Sequence, residues 1–191
     1  MAFALVQIVF WISLSTWFGG VLFVAMVAPI IFRTVKEQEP ILPLVLAVNL
    51  EGQHGSLLAG TIVGNIISHL VKVELACAGG LLLALIAQWF TTDRGGDMWV
   101  VPLLRCAMYL MVMGIVVYEW RGLWPRLRAQ RQTYLDHADE PDVANPAKDE
   151  FDRLHRESVM LLSFRLALLL GIVLFSAAVR PKGITVPFPV G

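Results

Sequence analysis

The sequence predicts an all-α integral membrane bundle of four transmembrane helices, with a short surface helix in the first loop. Three observations carry this expectation. Of the 191 residues, 57% are hydrophobic and 16% charged, outside the balance of water-soluble domains. The charges gather between four long apolar runs instead of spreading along the chain, and the basic residues flanking those runs fall mostly on one side. The formal net charge of zero leaves no basic field for nucleic acid, so the expected surroundings are a lipid bilayer and other membrane-protein subunits. Cys77 and Cys106 lie inside apolar runs without CxxC spacing, which reads as two free thiols.

The first span is expected over about residues 5–32. Met1–Phe32 is one uncharged run without a basic leader region, too long for the apolar part of a signal peptide, and is expected to remain as a helix. Ser13, Thr16, Trp17 and Gly20 fall near one face, where small residues let a second helix approach. Pro29 removes a backbone donor and is expected to bend or end the helix shortly before Arg33. Arg33–Gly55 is mixed and proline-bearing, and its apolar stretch Leu44–Val48 reads as the surface helix.

Leu57–Phe90 reads as one long helix spanning over about 68–90, or as a short inserted helix followed by a span from Leu75; the single helix is favoured. Asn65, His69, Lys72, Ala76, Gly79, Gly80 and Leu83 share one face of it, and Glu74 points the other way. The glycine-bearing turn Thr91–Asp97 makes the second and third helices antiparallel neighbours. The third span, about 99–120, places Arg105, Tyr109, Val112, Val116 and Glu119 on one face. Residues 121–157 read as a polar cytoplasmic loop that extends the third helix to about Asp136 before breaking at prolines. The last span, about 158–179, is roughly 33 Å long, enough to cross a hydrocarbon core of about 30 Å. Its only charge is Arg165, and Phe151, His155, Ser158, Leu162 and Arg165 form one stripe leading into the membrane. The whole chain, 1–191, reads as a single domain.

Basic residues near helix ends set the orientation. Nine lie on the side of the first and third loops and three on the other. This places the protein as a multi-pass chain in the cell inner membrane, both termini outside the cytoplasm.

Depth and face together single out a polar seam of Asn65, His69, Lys72, Arg105, Glu119, His155, Ser158 and Arg165. Two imidazoles, a lysine and a carboxylate in one layer admit a metal, haem or proton-handling site at His69 and His155. The favoured reading is a salt-bridge layer whose long side chains reach the headgroups. The spacing selects no metal and no cofactor. Arg165, roughly 15 Å beyond His155, requires a buried partner: Glu74, a first-helix hydroxyl or a carbonyl. Arg105, near the outer end of its helix, is expected to snorkel without a special partner, and Glu119 to meet Arg121, His69 or Lys72. Met108, Met111 and Met113 read as packing rather than a copper site, and the tryptophans as an interfacial belt. No nucleophile elbow, P-loop or HExxH motif occurs, so no catalytic residue is expected.

The runs WFGGVLFVAMVAPIIF, AGTIVGNIISHLVKVE and FDRLHRESVML, with their W-x-G-G, AP-x-x-F and F-x-x-LH-x-x-S patterns, resemble the small four-helix membrane family similar to transmembrane protein 205, largely a bacterial domain of unknown function. The longer charged third loop and the proline-rich tail depart from it. The resemblance implies a four-helix membrane protein and puts emphasis on Trp17, Gly20, Pro29, His155 and Ser158. The eukaryotic member's association with platinum-drug resistance weakly implies transport or metal handling. The leading expectation is a non-enzymatic membrane protein, alone or as an accessory subunit; the alternative is a small transport or metal/haem protein using His69 and His155.

Overall fold

The computed structural model describes residues 2–40, 53–91 and 100–177. Among these the chain is helical throughout: α1 (Ala2–Glu37), α2 (His54–Thr91), α3 (Val100–Tyr118), a π-helical turn (Glu119–Leu123), α4 (Trp124–Asp136) and α5 (Pro141–Ser176). The expected surface helix, most of the glycine turn and the proline-rich tail lie outside the described residues. Four helical stretches are long and apolar enough to cross a membrane: Phe3–Glu37, His54–Phe90, Val100–Asp136 and Pro141–Ser176. The protein is therefore an all-α, four-helix, multi-pass bundle suited to a lipid bilayer.

Local chemistry explains the boundaries. Glu39, at φ 42°, takes a left-handed conformation just after α1, and Pro40 disfavours further helix. Pro29 is accommodated inside α1. The third stretch runs on to Asp136 through one widened turn, in which the Trp124 N–H donates to the Glu119 carbonyl. Pro125 accounts for the widening: it has no N–H to continue an α-helical ladder, and its ring crowds the preceding turn.

Residues 137–140 make a tight connection, and α5 then starts at Pro141, whose missing N–H is harmless in a first turn. Of the segment read from sequence as loop 121–157, the expected helical extension to Asp136 is present, and the part from Pro141 onward, read as loop, is helical too, so the segment is mostly a helical hairpin. Its two arms are joined by Arg126, whose Nη2 donates to Glu150 Oε1 at 3.1 Å, and by packing of Tyr134, Ala138, Ala144 and Ala147. Hydrogen bonds from Arg153, reinforced by Arg126, hold the Glu150 carboxyl below its usual range. The misreading has a physical cause. High charge and two prolines resemble a loop in composition, but Pro141 falls in the first turn of α5, where it costs the helix little, and Pro146 is carried inside the helix.

Contacts run in opposite directions along paired helices, which makes the bundle up-down-up-down. Lys36 lies by Gly55, Gly20 by Leu70 and Ser13 by Gly80; Tyr134 bonds Gln53, Arg131 bonds Thr61 and Arg105 bonds Gln88. α1 packs most extensively on α2, and α3 on α5. α2 and α3 have few close backbone approaches, and long side chains bridge them, including the Tyr109 hydroxyl donating to the Ala78 carbonyl at 3.0 Å. The outward faces carry Leu5, Ile12, Met26, Leu83, Phe90 and Leu110, which lipid can cover without penalty.

The α1–α2 seam depends on small residues. A Cβ on Gly80 would collide with the Ser13 hydroxyl, whereas a Cβ on Gly79 meets nothing within 4 Å. Gly80→Leu is expected to cost about 1–3 kcal/mol or more by overpacking, and Gly79→Leu little. Thermal unfolding of the two variants in detergent checks this, and equal midpoints would contradict the seam.

Candidate functional site

The face of α3 read from sequence is inward: Arg105, Tyr109, Val112, Val116 and Glu119 are all buried. On α1, Ser13, Trp17 and Gly20 turn inward and Thr16 faces out. The inward face of α5 carries Leu154, Arg165, Leu169, Ile172 and Ser176. These faces converge on a charged centre midway along the bundle. Arg165 Nη1 donates to Glu74 Oε2 at 3.0 Å and lies 3.4 Å from Glu119 Oε2. Arg165, Glu74 and Glu119 are 4%, 1% and 2% exposed, so water contributes almost nothing to their solvation.

Two carboxylates thus share one guanidinium, through the same nitrogen. The centre is incompletely bonded as well: Glu74 Oε1, Glu119 Oε2 and Arg165 Nε make no hydrogen bond of good geometry. The fully buried Trp17 closes the centre from α1. Its indole N–H interacts with the Glu74 carboxyl without forming a well-aligned hydrogen bond, and its ring stands edge-on to Tyr109 at 6.5 Å. Glu119 opens the π-helical turn, a distortion that recurs at functional positions in helices. With both carboxylates ionised the centre carries one negative charge more than Arg165 offsets. A proton or a small cation would balance it.

The histidine seam is not assembled. His69 is exposed on α2, and its Nδ1 lies 2.9 Å from the Asn65 carbonyl of its own helix. His155 is exposed on α5, stacked on Phe151 with ring centroids 6.0 Å apart. Asn65 and Lys72 are exposed too, and Ser158 is half-buried. Among the described residues, no group of three or more His, Cys, Asp or Glu is placed to hold a metal ion.

Three corrections follow. The inward face of α2 is that of Glu74, Cys77, Ala78, Leu81 and Gln88, opposite the face carrying His69. Residues near the headgroups can face outward at no cost, so their clustering does not mark the interior; the deep carboxylate does. Glu119 meets Arg165 rather than Arg121, His69 or Lys72, because the inward face of α3 points at α5. Arg105 does not snorkel. It is 2% exposed, donates from Nη2 to Gln88 Oε1 at 2.9 Å, and lies with its guanidinium carbon 4.4 Å from the Phe10 ring centroid.

Two further contributors stand out. Trp17 reads from the sequence both as part of the α1 packing face and as part of the tryptophan belt, and the structure places it on the packing face, fully buried. Pro125 was passed over, yet a proline inside a continuous helical stretch is the one local signal for a widened turn beside Glu119. Comparison with family models, curated proteins and solved structures returns no match.

Proposed function

We propose that this chain is a non-enzymatic multi-pass protein of the cell inner membrane, both termini outside the cytoplasm, whose Glu74–Arg165–Glu119 centre binds and releases a proton or small cation within the bilayer. The observation that carries the reading is the charge count: two buried carboxylates face one buried guanidinium, and intramembrane carboxylates of this kind serve proton and ion pathways. This favours the small-transport alternative in a proton- or cation-coupled form. It does not favour a metal or haem site at His69 and His155, since both imidazoles face outward. Kinship with the family resembling transmembrane protein 205 belongs to the same proposal and rests on the three sequence patterns alone.

The experiment is relaxation of an imposed pH gradient or cation gradient in proteoliposomes, with Glu119→Gln as the comparison. The wild type is expected to dissipate one of the gradients faster than empty liposomes, and Glu119→Gln to lose most of that excess. Equal rates for the two proteins would reduce the centre to a structural clamp.

A second reading, accessory subunit of a larger membrane complex, draws support from the hairpin of α4 and α5. α5 is 36 residues long, about 54 Å, so it extends well past a hydrocarbon core of about 30 Å. The outer surface of the hairpin is strongly charged, with Arg121, Arg128 and Asp142 exposed. Native mass measurement in mild detergent tests whether a partner is retained there.

A further inference from the structure

A second buried cation lies toward the other end of the bundle. Arg105 is fourteen residues before Glu119 on the same helical stretch, and Gln88 fourteen after Glu74 on α2, so the two centres stand about 21 Å apart. Arg165 faces two carboxylates. Arg105 faces none within ion-pair distance among the described residues. Its neighbours are the Gln88 amide oxygen and the Phe10 ring, which replace part of its hydration and carry no negative charge. Two donors in this layer remain without a partner, Arg105 Nε and Gln88 Nε2, and both residues are more than nine-tenths buried.

Among the described residues the unmet requirement is therefore specific. It is a negative charge bearing oxygen acceptors, placed where a guanidinium N–H and an amide N–H can both reach it. A guanidinium fork beside an amide presents planar donors that match an oxyanion. The depth is informative too. Arg105 is about 8 Å from the first residue of α3 and Gln88 about 5 Å from the last residue of α2, which puts the pair near headgroup level rather than at mid-membrane. We propose that Arg105 and Gln88 form a binding site for a phosphate group, supplied either by a lipid headgroup or by free phosphate. The site is independent of the acidic centre: it binds the opposite charge, on a different layer of the bundle.

The test is the thermal unfolding midpoint of the full chain, delipidated in nonionic detergent. Inorganic phosphate is added in one series, and phosphatidylglycerol is doped into the micelles in another. The wild type is expected to show a saturable rise in midpoint that Arg105→Gln does not show. A rise with inorganic phosphate assigns the site to the free anion, and a rise with phosphatidylglycerol alone assigns it to a headgroup. Gln88→Glu supplies the missing charge from within the chain and keeps the test readable if Arg105→Gln folds poorly. Its midpoint without ligand is expected to exceed that of the wild type, and its response to ligand to disappear. No response in the wild type overturns the proposal, as does a lowered midpoint in Gln88→Glu, which would mean that Arg105 already has a counter-charge. The double variant Asp93→Asn/Asp97→Asn provides a further check. If it loses as much stability as Arg105→Gln, non-additively, the partner is the chain's own turn and the phosphate site is refuted.

Discussion

Arg165→Leu is expected to destabilise the bundle by about 3–5 kcal/mol, the usual loss when one partner of a buried charged pair is removed. The geometry argues for the upper part of that range. Removing the guanidinium strands two carboxylates, Glu74 and Glu119, each at most 2% exposed, and brings their charges together with no cation between them. Leucine is apolar and no larger than arginine, so overpacking is not the source of the loss. Extending the substitution to Arg165→Leu/Glu74→Leu/Glu119→Gln removes every charge at once, and an uncharged core of similar volume is often as stable as the ionic one. The triple variant should therefore recover most of the stability lost by the single one. Thermal or denaturant unfolding in detergent measures both. An unchanged midpoint for Arg165→Leu would show that the centre contributes nothing to holding the helices together.

This contrast separates holding the fold from handling charge. A purely structural clamp is satisfied by one acid and one base. The third member, Glu119, is a surplus carboxylate on a distorted turn, 3.4 Å from a nitrogen already bonded to Glu74. Surplus charge in a dry interior is costly, and its retention is easier to understand if the balancing proton or cation comes and goes.

How far the sequence disclosed this arrangement differs from helix to helix. Span number and the inward face of α3 were legible, because length and apolarity are set by the bilayer and because Arg105, Tyr109, Val112, Val116 and Glu119 recur at helical spacing on one side of the helix. α5 was legible at Arg165 and misread near His155. The two are ten residues apart, which places them about 80° apart on the wheel, so at the hairpin end Leu154 takes the inward position instead. α2 was read from the wrong side. In water, Leu83 at 67% exposure would betray an outward face; in lipid it costs nothing, and hydrophobicity ceases to distinguish inside from outside. The remaining cue was Glu74, whose depth outweighs three shallower polar residues. The double reading of Trp17 and the misreading of Arg105 share a cause. Both residue types can sit at an interface or inside a bundle, and helix position alone does not choose between these.

Trp17→Ala is the second large expected effect. Trp17 is 0% exposed, packed edge-on to Tyr109 and beside Glu74. In detergent or lipid, little of its worth comes from expelled water; what is lost is close packing, together with the cavity left where α1, α2 and α3 meet. Truncation of a buried aromatic side chain to alanine costs about 3–5 kcal/mol in soluble cores, and a similar loss is expected here because the cavity adjoins unpaired polar atoms. Trp17→Phe divides the effect. It keeps the larger part of the ring packing and removes the indole N–H, which lacks a well-formed hydrogen bond, so it leaves a smaller cavity and its cost should fall well below that of the alanine variant. The comparison also bears on the acidic centre. The alanine cavity borders Glu74 Oε1, itself without a hydrogen bond, and a polar cavity admits water. Trp17→Ala should therefore speed hydrogen exchange at the α2 amides around Glu74 relative to Trp17→Phe. Equal exchange in the two variants would mean that the indole plugs nothing, and that the charged centre is kept dry by α2, α3 and α5 alone.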